Sequence, residues 1–187
     1  MRPAIDFGDG HDFAVVRTHH EDERAWRALV RALESEYARY NPDLFRFLVV
    51  DDPGWAGATP EEVLDAVRAS GAEAVLAVFL ADREALSEAE GWPLLTVYVP
   101  APDEKPRPPH ETLFRTGLDM VFYVDSNLFM GNTDVADFAE GAHEAPDGVL
   151  RFAAFFGPDR PQYPDLDSPR AFTFTPRSLE WLWEGDR

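Results

Sequence analysis

Short apolar runs alternate with helix-like segments through the first half of this chain, and the alternation limits the folds that the chain can adopt. Four runs have the length and composition of buried strands: residues 13–19, 45–53, 72–82 and 93–100. Strands separated by helices are typical of α/β domains, in which each helix links two strands. We therefore expect one α/β domain over residues 1–156, with a mixed, partly parallel sheet of about five to seven strands flanked by helices.

Two of the intervals between these runs carry strong helix signals. In residues 21–37, apolar side chains recur at helical spacing, at Trp26, Leu29, Val30, Leu33 and Tyr37. In residues 59–71, Thr59 can cap a helix, Pro60 suits its first position, and Glu62 completes a capping box. Both segments are predicted to be helices that cover the sheet.

The middle of the chain is less regular. Residues 83–91 predict a short helix, and the Pro-rich run at residues 100–110 predicts an exposed loop, because proline cannot donate the backbone hydrogen bonds of regular structure. After the loop we expect two strands around Gly117, the second of which continues into residues 124–130. A helix is then predicted around residues 133–142.

The end of the chain divides into an apolar run and an extension. Residues 148–156 favour a strand over a helix. Residues 157–187 are predicted to form a Pro-rich C-terminal extension. Its end contains Trp181 and Trp183, which are too apolar to be left in water, so we expect it to dock on the domain or on a partner.

Acidic residues outnumber basic residues by about two to one. The 187-residue chain contains 35 Asp and Glu against 17 Lys and Arg, and its formal net charge is −18. Phosphate would be repelled, so we expect no direct binding to nucleic acid or to an anionic membrane. A basic protein is the partner that this charge favours, although negative charge also raises solubility without any partner. The oligomeric state stays open.

The residue content also bears on the compartment. The chain has no cysteine, which excludes disulfides, thiolate nucleophiles and Cys-based zinc sites. No apolar run approaches the ~18 residues of a membrane-spanning helix, and the N-terminal residues lack the apolar core of a signal peptide. We expect a cytoplasmic protein.

Carboxylates follow two of the predicted strands. Asp51 and Asp52 end the second run, and Asp82 ends the third. If these strands are parallel, the three side chains could converge at one edge of the sheet, with Asp125 nearby, and bind magnesium. The alternative is structural, because Asp-Asp-Pro-Gly is a typical turn sequence.

Residues 124–138, VDSNLFMGNTDVADF, resemble a metal-binding loop at first sight. A calcium loop needs oxygen ligands at its first, third and fifth positions. Starting from Asp125, Asn127 fits the third position, but Phe129 fills the fifth. A start at Asn132 places Ala136 at the fifth position, so neither start fits. The segment is better interpreted as a strand that turns into a capped helix. Asn127 then still needs hydrogen-bond partners if it is buried.

The position of one tryptophan and the lack of catalytic motifs favour binding over catalysis. Trp55 lies in a turn between Gly54 and Gly57, where it could anchor a partner or fold back on its own domain. The histidines have no metal-binding spacing, no serine lies in a nucleophile elbow, and no phosphate-binding glycine loop occurs. We therefore expect no cofactor, no resident metal and no catalytic residue.

Two segments carry a family resemblance. VDDPGWAGATPEEV and NLFMGNTDVADFA, in this order, resemble a family of bacterial proteins that is classed as a domain of unknown function and is common in actinomycete-type genomes. The resemblance covers roughly residues 13–156. Val135 stands where the family pattern has an aromatic residue. The resemblance implies a shared fold and brings no activity, cofactor or catalytic residue.

Two classes of function follow from these observations. The first is a small, acidic, non-catalytic module that binds a basic protein, in the manner of immunity or antitoxin proteins. The second is a magnesium-dependent site for hydrolysis or phosphoryl transfer, built from Asp51, Asp52 and Asp82. The binding module is the expectation that the charge and the missing catalytic motifs favour.

Overall fold

Six strands form one mixed sheet in the computed structural model, which describes residues 2–8, 13–37, 47–87 and 91–159. The order of the strands across the sheet is β2-β1-β3-β4-β5-β6. Their bounds are β1 Phe13–Arg17, β2 Phe47–Val50, β3 Ala77–Ala81, β4 Leu94–Tyr98, β5 Leu113–Thr116 and β6 Val149–Leu150. The predicted α/β class and the mixed sheet are confirmed.

One strand reverses the direction of the sheet. β1 is parallel to β2 and β3, and β5 is parallel to β6, whereas β4 is antiparallel to both of its neighbours. Five strands therefore run the same way, and their C-terminal ends lie along one edge. The buried hydroxyls of Thr96 on β4 and Thr116 on β5 form a hydrogen bond with an oxygen–oxygen distance of 2.6 Å, which joins the reversed strand to its neighbour.

Seven helices and one 3-10 turn complete the described part of the chain. The helices are α1 Glu23–Tyr37, α2 Pro60–Ser70, α3 Arg83–Ser87, α4 Pro109–Thr112, α5 Leu118–Met130, α6 Val135–Glu144 and α7 Phe152–Phe156, and the turn is Pro53–Trp55. None of the helices in the described ranges is long and apolar enough to cross a membrane.

The helices with the clearest sequence signals form where they were predicted. α1 buries the five apolar residues whose spacing predicted it. At the start of α2, the backbone N–H of Glu62 donates to Thr59 Oγ1 at 3.3 Å, and the Glu62 carboxylate accepts from the Thr59 backbone at 3.0 Å. Gly71 ends α2 with a left-handed φ of 71°. These signals act within one or two turns of helix, which is why they can be recognised without the rest of the fold.

The sheet separates two apolar cores. Phe13 and Val15 of β1 face the core that contains the buried side of α1 and parts of α5 and α6. Ala14 and Val16, which alternate with them, face the core under α2. Ile5 from the N-terminal segment packs into this second core. A strand that buries both faces has no alternation of polar residues, which explains the continuous apolar run at β1.

The strand predicted after Gly117 is a helix, and this prediction was wrong. Gly117 has extended backbone angles and caps α5, which continues to Met130. The segment is rich in aromatic and β-branched residues, which favour strands, and it is apolar on several sides, so the helical period is weak. Burial against the sheet and against α1 overrides that propensity.

The last apolar run is also mostly helical. Only Val149–Leu150 forms a strand, and α7 follows at once. Phe152, Phe155 and Phe156 lie at helical spacing. The Phe152 and Phe156 rings contact Tyr123 and each other, and Phe155 contacts Phe156, at ring-centroid distances of 4.8 to 5.4 Å. This aromatic packing favours a helix over a longer edge strand.

Two further predictions concern the Pro-rich run and the C-terminal extension. The Pro-rich run is irregular only as far as Pro108, because α4 begins at Pro109, a residue that suits the first position of a helix. The docking of the C-terminal extension, with Trp181 and Trp183, lies outside the described residues.

Candidate functional site

Asp51 lies at the C-terminal edge of the sheet and neutralises a buried arginine. Its Oδ1 accepts from Arg17 Nη1 at 3.0 Å, and its Oδ2 accepts from Trp26 Nε1 at 2.9 Å. The Arg17 side chain is 4% exposed and its guanidinium carbon lies 5.3 Å from the centre of the Trp26 ring. Nη1 of Arg17 also donates to Glu23, whereas its Nη2 is buried with no hydrogen-bond partner among the described residues. Asp51 is therefore part of a buried ion-pair cluster.

The neighbouring carboxylates have different partners. Asp52 accepts from the backbone N–H of Gly54 at 2.7 Å and so caps the 3-10 turn. Asp82 accepts from both terminal nitrogens of Arg115, at 2.9 and 2.7 Å, and from the backbone N–H of Ala85 at the start of α3. Among the described residues, no group of three or more His, Asp or Glu side chains is placed to hold a metal ion.

The polar residues of the segment 124–138 belong to a helix and its end. Asp125 is buried on α5. Asn127 is half-buried, and it donates from Nδ2 to the backbone oxygen of Tyr123 one turn earlier, at 2.8 Å, so its amide has a partner. Asn132 is exposed after the helix, and Asp134 caps α6. These residues therefore lie along α5, in the connection that follows it, and at the N-terminal cap of α6.

Trp55 belongs to the core, which corrects the hypothesis that it anchors a partner. Its side chain is 0% exposed and packs in the core under α2 with Val63 and Val67. The capped 3-10 turn folds the ring inward, and Gly54 lies so close to Pro3 that a Cβ would be 2.5 Å from Pro3 Cγ. The ring therefore presents no surface to a partner in this structure.

Two large apolar side chains that the sequence did not single out lie on the surface. Phe129 is 63% exposed and Met130 is 58% exposed, at the C-terminal end of α5. We call them the exposed apolar pair. Helical spacing would have found Met130, which falls off the face of the buried Leu118, Val121 and Val124, but not Phe129, which lies on that face eleven residues after Leu118. The strand prediction for this segment hid this signal.

Arg107 forms an ion pair with Asp134, the residue that caps the start of α6. Its guanidinium donates to both carboxylate oxygens of Asp134, at 2.7 and 2.9 Å, and to Glu104 at 2.7 Å. The hydrogen bond from Arg107 holds the pKa of Asp134 below its usual value. Burial acts to raise the pKa of Glu104, but the hydrogen bonds from Arg107 and Tyr98 outweigh it and the pKa is lowered. The Pro-rich loop is thereby joined to α6.

Further along α6, three carboxylates border a groove, and none of them forms an ion pair within the described ranges. Asp137, Glu140 and Glu144 lie on one side of the helix, three and four residues apart. They border a groove of about 420 Å³ between α6 and α7. We call it the acidic groove, and its lining is Asp137, Glu140, Gly141, Glu144, Ala145, Pro146, Ala154 and Phe155.

Gly141 allows α7 to pack closely under this groove. A Cβ at this position would lie 2.8 Å from Phe155 Cδ2 and 3.1 Å from Leu150 Cδ1. Replacing glycine by alanine inside a helix normally raises stability by about 1 kcal/mol. Here we expect Gly141→Ala to lower the free energy of unfolding by about 1 kcal/mol, because the aromatic ring and α7 must move.

Urea denaturation of wild type and Gly141→Ala measures this effect. In a Phe155→Ala background the clash is reduced, so Gly141→Ala should cost less there than in the wild-type background. An increase in stability for the single variant would show that α7 does not pack against Gly141 as described.

Comparison with known proteins gives a family and no activity. No curated protein and no solved structure matches the chain. The family described as "Domain of unknown function (DUF6924)" matches residues 12–153, a span that contains all six strands and helices α1 to α6. The resemblance to a domain of unknown function that the two sequence segments carry is confirmed. The chain therefore belongs to the DUF6924 family, whose shared domain has no assigned function.

Proposed function

We propose that the protein is a non-catalytic module that binds a basic protein, in the manner of an immunity or antitoxin protein. The observation that carries the proposal is the exposed apolar pair, Phe129 and Met130, which lies directly before the acidic helix α6. Aromatic and methionine side chains are enriched where proteins bind one another, and exposure of large apolar side chains costs free energy unless a partner covers them.

The distribution of charge favours a basic partner. Arginines in the described ranges pair with nearby carboxylates, as Arg17, Arg107 and Arg115 do. Carboxylates exceed arginines, so a surplus is left on the surface, and Glu140 and Glu144 form no ion pair among the described residues. Complementary charge on a partner would speed its association and align it on this surface.

The contacts of the strand-end carboxylates support a binding role over a catalytic one. Asp51, Asp52 and Asp82 neutralise arginines or cap turns and helices. A carboxylate held in this way contributes to the stability of the fold. Partner binding is thus assigned to the surface of α5 and α6, away from these residues.

The test is the affinity of a purified partner for wild-type and variant chains. Immobilised wild-type chain captures candidate proteins from a lysate of the source organism, and calorimetry then measures the dissociation constant of each purified candidate. We expect Phe129→Ser with Met130→Ser to weaken binding roughly 10- to 100-fold, because an aromatic anchor contributes much of the affinity of an interface. Affinity should also fall as salt is raised, since screening weakens the charge attraction.

A matched control uses two exposed residues of α2. Glu61→Ser with Arg68→Ser changes two exposed side chains and leaves the net charge unchanged, so affinity should stay at the wild-type value. The proposal fails if no purified protein binds in a salt-sensitive way, or if the Phe129 and Met130 double variant binds as tightly as the wild type.

A further inference from the structure

The acidic groove combines charged sides with an apolar floor. Its carboxylates come from α6, and Ala145, Pro146, Ala154 and the half-buried ring of Phe155 provide the apolar surface. The Phe155 ring is held in place by Phe138 and Phe156, at centroid distances of 5.3 and 4.9 Å. The groove is therefore a fixed surface with one aromatic face, suited to a side chain that is apolar along its stem and cationic at its tip.

The charges on α6 are placed where the helix itself does not favour them. Glu140 and Glu144 are four residues apart, so the two negative charges repel each other on adjacent turns. Glu144 is also the last residue of the helix, where the dipole favours cations. A bound cation would remove both unfavourable contributions.

Arginine fits this groove better than lysine does. A guanidinium is planar and can stack on an aromatic ring such as Phe155 while its N–H groups donate to two carboxylates at once. Lysine carries a compact charge that stays strongly hydrated and cannot make the same forked contact. The methylene groups of arginine would lie along the alanine and proline surface of the floor.

We propose that the acidic groove receives an arginine side chain of the basic partner, with Glu140 and Glu144 as the acceptors of its guanidinium and Phe155 as the surface on which it stacks. This inference rests on the proposed function, because it names the residue type by which the partner is recognised. The groove would add a charged contact to the apolar contact that the proposed function assigns to Phe129 and Met130.

The probe that tests it is N-acetyl-arginine amide, a single arginine side chain without terminal charges. Titrated into the full-length chain and followed by two-dimensional NMR, it should produce saturable shifts at Gly141, Ala145 and Phe155. Nα-acetyl-citrulline amide has nearly the same shape and no charge. Nα-acetyl-lysine amide keeps its side-chain charge but lacks the planar group. Both should bind at least about fivefold more weakly than the arginine probe.

Variants separate the groove from general surface charge. Glu140→Gln with Glu144→Gln should weaken binding of the arginine probe about tenfold, since each lost carboxylate removes a charge-assisted hydrogen bond. Glu61→Gln with Asp65→Asn on α2 removes the same two charges from an exposed i, i+4 pair outside the acidic groove, and should leave binding unchanged. All four substitutions are on helix surfaces, and circular dichroism verifies that each variant is folded.

Three results would overturn the inference: equal binding of arginine and citrulline probes, equal binding of arginine and lysine probes, or equal weakening by the α6 and α2 variants. The proposed function is tested separately. If the partner binds through Phe129 and Met130 but the arginine probe does not bind the groove, the inference fails and the proposed function stands. If the probe binds the groove and no protein partner depends on Phe129 and Met130, the proposed function fails.

Discussion

Asp51→Ala is expected to lower the free energy of unfolding by about 3 kcal/mol, because it removes the partner of a buried charge. Asp51 is 17% exposed and Arg17 is 4% exposed, so water can replace little of the lost contact. The substitution also leaves Trp26 Nε1 without the carboxylate oxygen that accepts from it at 2.9 Å. Of the acceptors in the described part of the chain, Arg17 then keeps Glu23 and the backbone oxygen of His19.

Urea denaturation at neutral pH measures this effect, and two other variants locate its origin. Asp51→Asn keeps an oxygen that can accept from Trp26 but lacks the charge, so its cost should be smaller than that of Asp51→Ala. Asp52→Ala removes the adjacent, exposed carboxylate and only the cap of the 3-10 turn, with an expected cost of about 1 kcal/mol. Equal stabilities for Asp51→Ala and Asp52→Ala would contradict the buried ion-pair cluster.

Thr96→Val is expected to cost about 2 kcal/mol, because it leaves the Thr116 hydroxyl buried without its partner. Both threonines are 0% exposed, and their hydroxyl oxygens are 2.6 Å apart. Valine has nearly the shape of threonine, so the change removes a hydrogen bond with little change in packing. The effect therefore reports on the polar contact alone.

The double variant Thr96→Val with Thr116→Val distinguishes this explanation from a packing defect. When both hydroxyls are replaced, no polar group is left unsatisfied, and the stability should return to within about 0.5 kcal/mol of the wild type. Thermal denaturation of the four proteins in this cycle gives the coupling directly. Additive losses in the two single variants would show that the hydroxyls do not depend on each other.

The parts of the fold that could be predicted are those with signals inside a few turns of chain. The spacing in α1 and the capping box of α2 specify a helix whatever lies around them. The apolar run at β3 predicts a strand that is covered on both faces, as it is, and the run at β1 predicts a strand that is also buried. The order of the strands depends on contacts between distant segments, and no local signal encodes it.

The segments that were predicted wrongly are those whose state is decided by packing. α5 consists largely of residues that favour strands, and α7 is a short aromatic run. Each is helical because this conformation places its rings against the sheet or against a neighbouring helix. Without that context, aromatic and β-branched residues predict a strand, and the prediction fails.

The residues of the candidate site were also hard to predict, because packing decides which of them reach the surface. The segment of Phe129 and Met130 was predicted to be a strand, and a strand gives no reason to expect these two side chains on the surface. Trp55 was considered for the surface because it lies in a turn between Gly54 and Gly57, but the 3-10 turn places its ring in the core. The acidity of the chain was evident from its composition, whereas the alignment of three carboxylates along a groove required α6 and α7 to be placed side by side.

The reversed strand β4 has a consequence for the order in which the sheet assembles. Because β4 is antiparallel to both neighbours, β3, β4 and β5 pair in the order in which they occur along the chain. β1 must instead pair with β3 across a long stretch of chain, as Ala14 does with Val78. Closing that loop costs more chain entropy than closing the shorter connections between β3, β4 and β5, so we expect these three strands to pair first and the parallel strands to add to them afterwards.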